Sequence, residues 1–359
     1  MPQIGFALNQ LLDRTNTRTL FNADGSHMQQ LATVGAQIVR LDISLNHAVG
    51  WDDAMLGLYA GVVEMLSEAG LSVIGLLSHA IVPGAAPLLW NAPAGQDGTN
   101  QFIRDYVAAA HRIVPALPRV THWEVWNEPN NSGSPPTRID ASLYASLLAR
   151  AHGAIKALSP QSAVITGGIL AFNPDDTCSR AYSGADYLQD VWHALSQAGL
   201  SGNLPFDAVG IHMYLDPGGP LNPAHLQGYL NTYYAVIDAN MGRRVAHPLP
   251  LYITEAGWST DIDDPKYAGG AVDAETQAAN LAALLQVCAN NGFVAQDRSD
   301  SDAVAPYVAA VCCFDLSCGV RGFGAFDKTG AEKPAVAAIQ AFTNAPTGAA
   351  AMLAPTASI

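Results

Sequence analysis

"VTHWEVWNEPNNSGSPPTRIDASLYASLLARAHGAIKALSPQSAVITGGI", residues 120 to 169, contains one full turn of the pattern that organises the chain. It opens on a short β-rich run, VTHWEVW, and crosses a loop dense in Gly, Pro, Asn and Ser. A long helical pattern follows, DASLYASLLARAHGAIKAL, and the short link LSPQS leads into a second β-rich run, AVITGGI. Strand, helix and strand in that order are the parts of a parallel crossover unit.

The same pattern extends in both directions. β-rich runs recur as IGFALN, IVRLDISL, LSVIGLL, VTHWEVW, AVITGGI, FDAVGIHMY, LPLYITEAGW and VAAVCCFDL, each followed by a helical stretch. The last helix, KPAVAAIQAF, begins at Lys333 with Pro334 in the first turn, where a missing backbone N–H costs nothing. Eight strands alternating with eight helices predict a single-domain (β/α)8 barrel over residues 1–345, with residues 346–359 as a C-terminal tail. Links from helix to strand are short (EAGLS, PALPR, LSPQS), DRSDSDAVAP excepted. Links after strands are long and rich in Gly, Pro, Asn and Asp: HAIVPGAAPLLWNAPAGQDGT, NNSGSPPTR, FNPDDTCSRAYS, LDPGGPLN and STDIDDPKYAGGAV. In a barrel the long links all lie on the C-terminal face, where sites are built.

Composition narrows the partners. Of 359 residues, 13% are charged and 49% hydrophobic, enough to bury a large core. The net charge of -14, without any Lys/Arg-rich run, argues against nucleic acid and against anionic membrane surfaces. No apolar run reaches the roughly 18 residues that a membrane span needs. The first ten residues, MPQIGFALNQ, lack the basic segment and apolar run of a secretory signal, as expected of a cytoplasmic chain or one whose signal has been removed. Five cysteines, 178, 288, 312, 313 and 318, form no C-x-x-C pair, and their odd number argues against a disulfide framework or a zinc site. They read as buried small apolar residues.

The chemistry-bearing residues stand at strand ends. Alternation along the fourth strand puts His122, Glu124 and Trp126 on one face, with Glu128 continuing that parity just past its end. Pro129 is expected to hold Glu128 in an extended conformation. Glu255 ends the apolar seventh strand in LYITEAGWST. Two carboxylates at one barrel mouth suit cleavage of a glycosidic bond, where one group protonates the leaving oxygen and the other works at the anomeric carbon. Glu124, deeper in its strand, reads as an interior group satisfied by Arg40 or a His.

W-N-E-P (126–129) and T-E-A-G-W (254–258) resemble the signatures of the clan A retaining glycoside hydrolases, nearest to family 39 with family 5 a close second. The resemblance covers residues 3 to 345. FDAVGIHMY is similar to the clan's H-x-Y strand, IVRLDISL to its strand-two Arg, and FDKTGAEKPA to its approach to the last helix. It implies retaining hydrolysis of a carbohydrate by double displacement, without cofactor or metal. Glu128 would be the acid/base and Glu255 the nucleophile, about 5 to 5.5 Å apart. The charge on Glu255 would favour a protonated Glu128 in the first step. Asn127 would hold the sugar 2-hydroxyl, and Arg40 and Tyr214 would orient Glu255 with His212 nearby. One departure stands out: at the end of strand eight, where the clan usually carries Trp, this chain has Phe314 in VCCFDLSC.

Other aromatics near the face could pack on sugar rings, above all Trp126 and Trp258, with Trp51 and Trp90 weaker candidates; His79 is a further sugar contact. These rings and the long loops favour an endo-acting polysaccharide hydrolase over an exo-acting, xylosidase-like β-glycosidase, and the resemblance also allows a uronidase. A Schiff-base aldolase needs a strand-end Lys, and Lys156, Lys266, Lys328 and Lys333 all fall outside the strands. Scattered His residues speak against a metal-dependent hydrolase. A non-catalytic carbohydrate-binding barrel would be expected to have lost one of the two Glu residues.

Overall fold

The computed structural model describes residues 1–8, 21–22, 24–45, 50–133, 136–171, 183–200, 202–241, 249–263, 270–291, 307–317 and 322–344. The strands are β1 (Gln3–Leu8), β2 (Ile38–Ile43), β3 (Ser72–Leu77), β4 (His122–Asn127), β5 (Ala163–Leu170), β6 (Val209–His212), β7 (Leu251–Ala256) and β8 (Val308–Cys313). They pair in parallel, each with the next, and β8 closes on β1 through Gln3↔Ala310 to Phe6↔Cys313, giving a closed barrel. The helices are α1 (Ser26–Thr33), α2 (Asp53–Glu68), α3 (Pro87–Trp90), α4 (Gln101–Ala116), α5 (Ala141–Leu158), α6 (Gly184–Gln197), α7 (Pro223–Met241), α8 (Ala274–Asn290) and α9 (Pro334–Thr343). The expected eight helices are present; α3 is an additional turn within the long link after β3. Residues 172–182 of FNPDDTCSRAYS, the link DRSDSDAVAP and the tail 346–359 lie outside the described residues.

β2 shows how sequence becomes wall. Val39, Leu41 and Ile43 join the apolar layer between strands and helices, while Ile38 belongs to a second cluster inside the barrel with Ala7, Ile74, Ile165, Tyr252 and Cys312. Arg40 and Asp42 share the inward parity of Ile38 and therefore enter the barrel as well. Helix starts are fixed by side chains that accept from otherwise unpaired backbone N–H groups: Asp52 from Met55, Asn100 from Ile103, Asp273 from Thr276. Cys288, Cys312 and Cys313 are buried free thiols whose pKa burial pushes up; Cys178 and Cys318 lie outside the described residues.

Helix tyrosines reach into the strand ends near the mouth. The Tyr59 hydroxyl donates to the Ser44 carbonyl, Tyr106 to that of Leu77, and Tyr144 to that of Val125. Tyr144 also accepts from Gly167 N–H at 2.6 Å. That hydroxyl bridges a gap in the β4–β5 ladder, where the register passes from Val125↔Thr166 to Asn127↔Gly168 and leaves Trp126 unpaired.

Candidate active site

Two irregular strand ends build the site. In β4, Trp126 has φ 81°, in the left-handed region that a bulky side chain adopts only when its surroundings demand it. The kink turns the indole out of the barrel, where it packs against Trp90, Phe102 and Tyr106 and donates to the Thr137 carbonyl at 2.9 Å. Alternation had placed Trp126 on the face of Glu124; the kink reverses that and aims Asn127 and Glu128 at the mouth. Glu128 itself has φ 49°, so the extended conformation expected from Pro129 is not the one adopted. Pro129 instead follows Glu128 in a turn closed by Asn131 N–H to the Glu128 carbonyl at 3.0 Å, which Thr137 also caps at 2.9 Å.

In β7 the pairing slips between Ile253 and Ala256. Consecutive residues of a regular strand face opposite ways, and the slip sends both Thr254 and Glu255 inward. Thr254 Oγ1 donates to Glu124 Oε1 at 3.0 Å, and Glu255 lies higher, beside β6.

Arg40 ties these ends together from beneath. Its Nε donates to Glu124 Oε2 at 2.5 Å, Nη1 to Glu255 Oε1 at 2.6 Å and Nη2 to Asn127 Oδ1 at 2.7 Å. Glu124, 0% exposed, also accepts from Gly168 N–H at 2.8 Å. It is the satisfied interior carboxylate expected of it, and burial is tolerated because each partner is a strong donor. Burial works against the charged guanidinium, but Glu124 and Glu255 outweigh it and hold Arg40 charged.

Glu255 also accepts from the Tyr214 hydroxyl at 2.6 Å through Oε2. Burial alone would push its carboxyl up; His212 and Arg40, with the hydrogen bonds from Tyr214 and Arg40, bring it below the usual carboxylate range. Burial, with the Glu255 charge, raises the Tyr214 hydroxyl far out of the neutral range, so it stays a donor. His212 Nδ1 stands between the two carboxylates, 3.0 Å from Glu128 Oε1 and 3.7 Å from Glu255 Oε2. Burial disfavours its charge, yet those neighbours raise its pKa overall. The ring lies so close to β5 that a Cβ on Gly168 would be 2.0 Å from Nε2. One oxygen of Glu128, one of Glu255 and a ring nitrogen of His212 all lie within 4.8 Å of one another. The same trio is the one cluster able to share a cation among the described residues, although Arg40, Tyr214 and Asn131 already occupy both carboxylates.

The tryptophans behave differently from expectation. Trp126 is 0% exposed and Trp258, which donates to the Leu215 carbonyl, only 2%, so neither offers a face to a sugar. Both are apolar anchors whose N–H is satisfied by a loop carbonyl. Trp90 is buried in the same way, and Trp51 packs on Tyr59 at the barrel's outside. The aromatic support for a polymer-binding groove falls with them. Phe314, 8% exposed, packs edge-on against Tyr214 and Phe323. His79, partly buried against Trp90 and Trp126, is held neutral by burial, and its buried Nδ1 has no partner among the described residues.

No family model and no curated protein matches the sequence. Solved structures do. A family 39 glycoside hydrolase from Bacteroides cellulosilyticus WH2 superposes with a TM-score of 0.59 at 19% identity, covering 95% of this chain, which spans 63% of its length. Xylanase 10B from Thermotoga maritima gives 0.60 at 17% identity over 96% of this chain and 95% of its own. A monomeric β-xylosidase from Caulobacter crescentus CB15 gives 0.59 at 16%, over 94% and 67%. Glycoside hydrolases share this barrel. At these identities the likeness is one of fold.

Several residues of the site escaped the sequence reading. Asn131, whose Nδ2 donates to Glu128 Oε2 at 2.8 Å, follows Glu128 at turn spacing. Gly168 belongs to the Gly-Gly pair of β5, a signal of close approach in a strand. Asp42 stands two residues after Arg40 and so on the same inward face, one pleat nearer the mouth.

Proposed function

We propose that the protein is a retaining glycoside hydrolase. The observation that carries this reading is the distance between the two strand-end carboxylates: oxygens within 4.8 Å suit direct attack, whereas an inverting pair needs about 6.5–9.5 Å to admit water between them. Glu255, ionised and held by Arg40 and Tyr214, attacks the anomeric carbon while Glu128 gives its proton to the departing glycosidic oxygen. The glycosyl ester so formed removes the charge of Glu255. Glu128, now a carboxylate, takes a proton from water as that water attacks the anomeric carbon, freeing Glu255 and a sugar of unchanged configuration.

The supporting side chains fit these steps. A guanidinium only donates, so the Asn127 atom facing Arg40 is its oxygen, and the amide nitrogen is left to donate to the sugar 2-hydroxyl. His212 Nδ1 stands between the two carboxylates, in hydrogen-bond reach of Glu128 at 3.0 Å and 3.7 Å from Glu255. The names of the solved structures that share the barrel, a xylanase and a β-xylosidase among them, support a carbohydrate substrate. Linkage and endo or exo action follow from the loops.

Reducing-end release and product size from a panel of plant and bacterial polysaccharides, with wild type and Glu255→Gln, test the reading. Oligomers from the wild type alone establish endo action, and monosaccharides establish exo action. Cleavage undiminished in Glu255→Gln rules out the nucleophile assignment, and glycan binding without any cleavage favours the non-catalytic barrel.

A further inference from the structure

One carboxylate at the barrel mouth has no part in the steps above. Asp42 enters the barrel with the parity of Arg40, one pleat nearer the C-terminal end of β2. The guanidinium below it is fully committed, to Glu124, Glu255 and Asn127, and forms no ion pair with Asp42 among the described residues. The one hydrogen bond to the Asp42 carboxylate among those residues is a long one, 3.5 Å, from the Ser78 hydroxyl on the neighbouring strand. Leu41 and Ile43 on either side are fully buried, whereas Asp42 keeps part of its surface open. An inward-pointing carboxylate on a partly exposed residue, weakly paired and within electrostatic reach of Glu255, has acceptor capacity left for a ligand.

We infer that Asp42 is a specificity-determining residue of the sugar subsite, accepting hydrogen bonds from glycone hydroxyls and selecting an uncharged sugar over a uronate; the inference rests on the glycosidase reading. A carboxylate accepts from vicinal hydroxyls with charge-assisted strength, and the deep, low-dielectric setting makes each bond count. The same charge repels a sugar carboxylate. Burial pushes the carboxyl of Asp315, just beyond β8, up to about 7, so it is only partly charged at neutral pH and the repulsion rests on Asp42. Burial alone pushes Asp42 up, the Arg40 charge opposes this, and Glu255 pushes the same way as burial, leaving it at about 6 and ionised at neutral pH.

The test traps sugars on Glu255. Wild type and Asp42→Asn are incubated at pH 7.5 with 2-deoxy-2-fluoro-β-glycosyl fluorides in pairs that differ only at C6, hexosyl against hexuronyl, in the gluco, galacto and manno series. Labelling of Glu255 is followed by mass spectrometry. Wild type is expected to accept at least one hexosyl reagent ten or more times faster than its hexuronyl partner. Asp42→Asn is expected to lose at least tenfold on the hexosyl reagent and little on the hexuronyl one, so that the ratio collapses. Hexuronyl labelling as fast as hexosyl in the wild type overturns the inference without touching the two-glutamate reading, and needs no variant to be seen. So does a folded Asp42→Asn whose hexosyl rate stays within twofold. No label on Glu255 from any reagent overturns that reading and the inference together.

Discussion

Glu255 and Asp42 lie in the same barrel mouth and are shifted in opposite directions, with separable consequences. Glu255 titrates below the ordinary carboxylate range because His212, Arg40 and Tyr214 outweigh its burial. Glu255 therefore stays ionised as pH falls, and with Glu255 as the proposed nucleophile the acid limb of kcat/KM is expected below the ~4.3 of a free glutamate. A limb above pH 5 would contradict this. Asp42 is raised to about 6, from a value near 3.9 in the unfolded chain. A raised carboxyl contributes stability that is present below about pH 4 and lost as pH climbs through 6. Asp42→Asn should therefore raise Tm by roughly 2 °C at pH 7.5 and leave it unchanged at pH 4, the mark of a charge kept at a cost in stability. Paired thermal melts at the two pH values decide it.

At the scale of the element, the kink of β4 and the slip of β7 make the site, and both lie beyond what period-two alternation can express. The chain VTHWEVWNEP gives the strand and the position of its carboxylates, Glu124 falls where its position in the strand puts it, and Arg40 and Tyr214 fall where the family resemblance implies. Trp126 does not: its indole leaves the barrel for an aromatic slot formed by Trp90, Phe102 and Tyr106, and the Tyr144 hydroxyl bridges the broken ladder. Those partners come from α3, α4 and α5, and no local pattern announces them. Trp258 is buried against expectation for the same reason, since a tryptophan beside a strand-end carboxylate looks alike whether it faces sugar or core. The β5 glycine pair is the element-scale counterpart. Gly168→Ala would place a methyl 2.0 Å from His212 Nε2, so the ring must move away from both carboxylates. A loss of kcat of about tenfold or more is expected, with protein that still folds, because larger side chains at a close approach cost about 1–3 kcal/mol. Full activity in Gly168→Ala would mean that His212 is not needed where it stands.

Across the whole molecule, eight strands and their asymmetric links were legible from composition and spacing, and the closed barrel brings strands two, four and seven to one mouth. Arg40 is the residue on which that convergence depends, joined to Glu124 and Asn127 on β4 and to Glu255 on β7. Arg40→Met strands two carboxylates, of which Glu124 is wholly enclosed, and is expected to cost about 3–5 kcal/mol in urea unfolding. Adding Glu124→Gln should restore part of that loss, whereas strictly additive losses would show that the three groups do not act as one network. On the glycosidase reading proposed above, the spacing of Glu128 and Glu255 predicts retention if the pair does the chemistry. The most direct test is proton NMR of the first sugar released from the glycan that the polysaccharide panel identifies, recorded before mutarotation. Retention of the anomeric configuration is the result this account predicts; inversion would contradict it, because water would then have attacked where Glu255 is placed to attack.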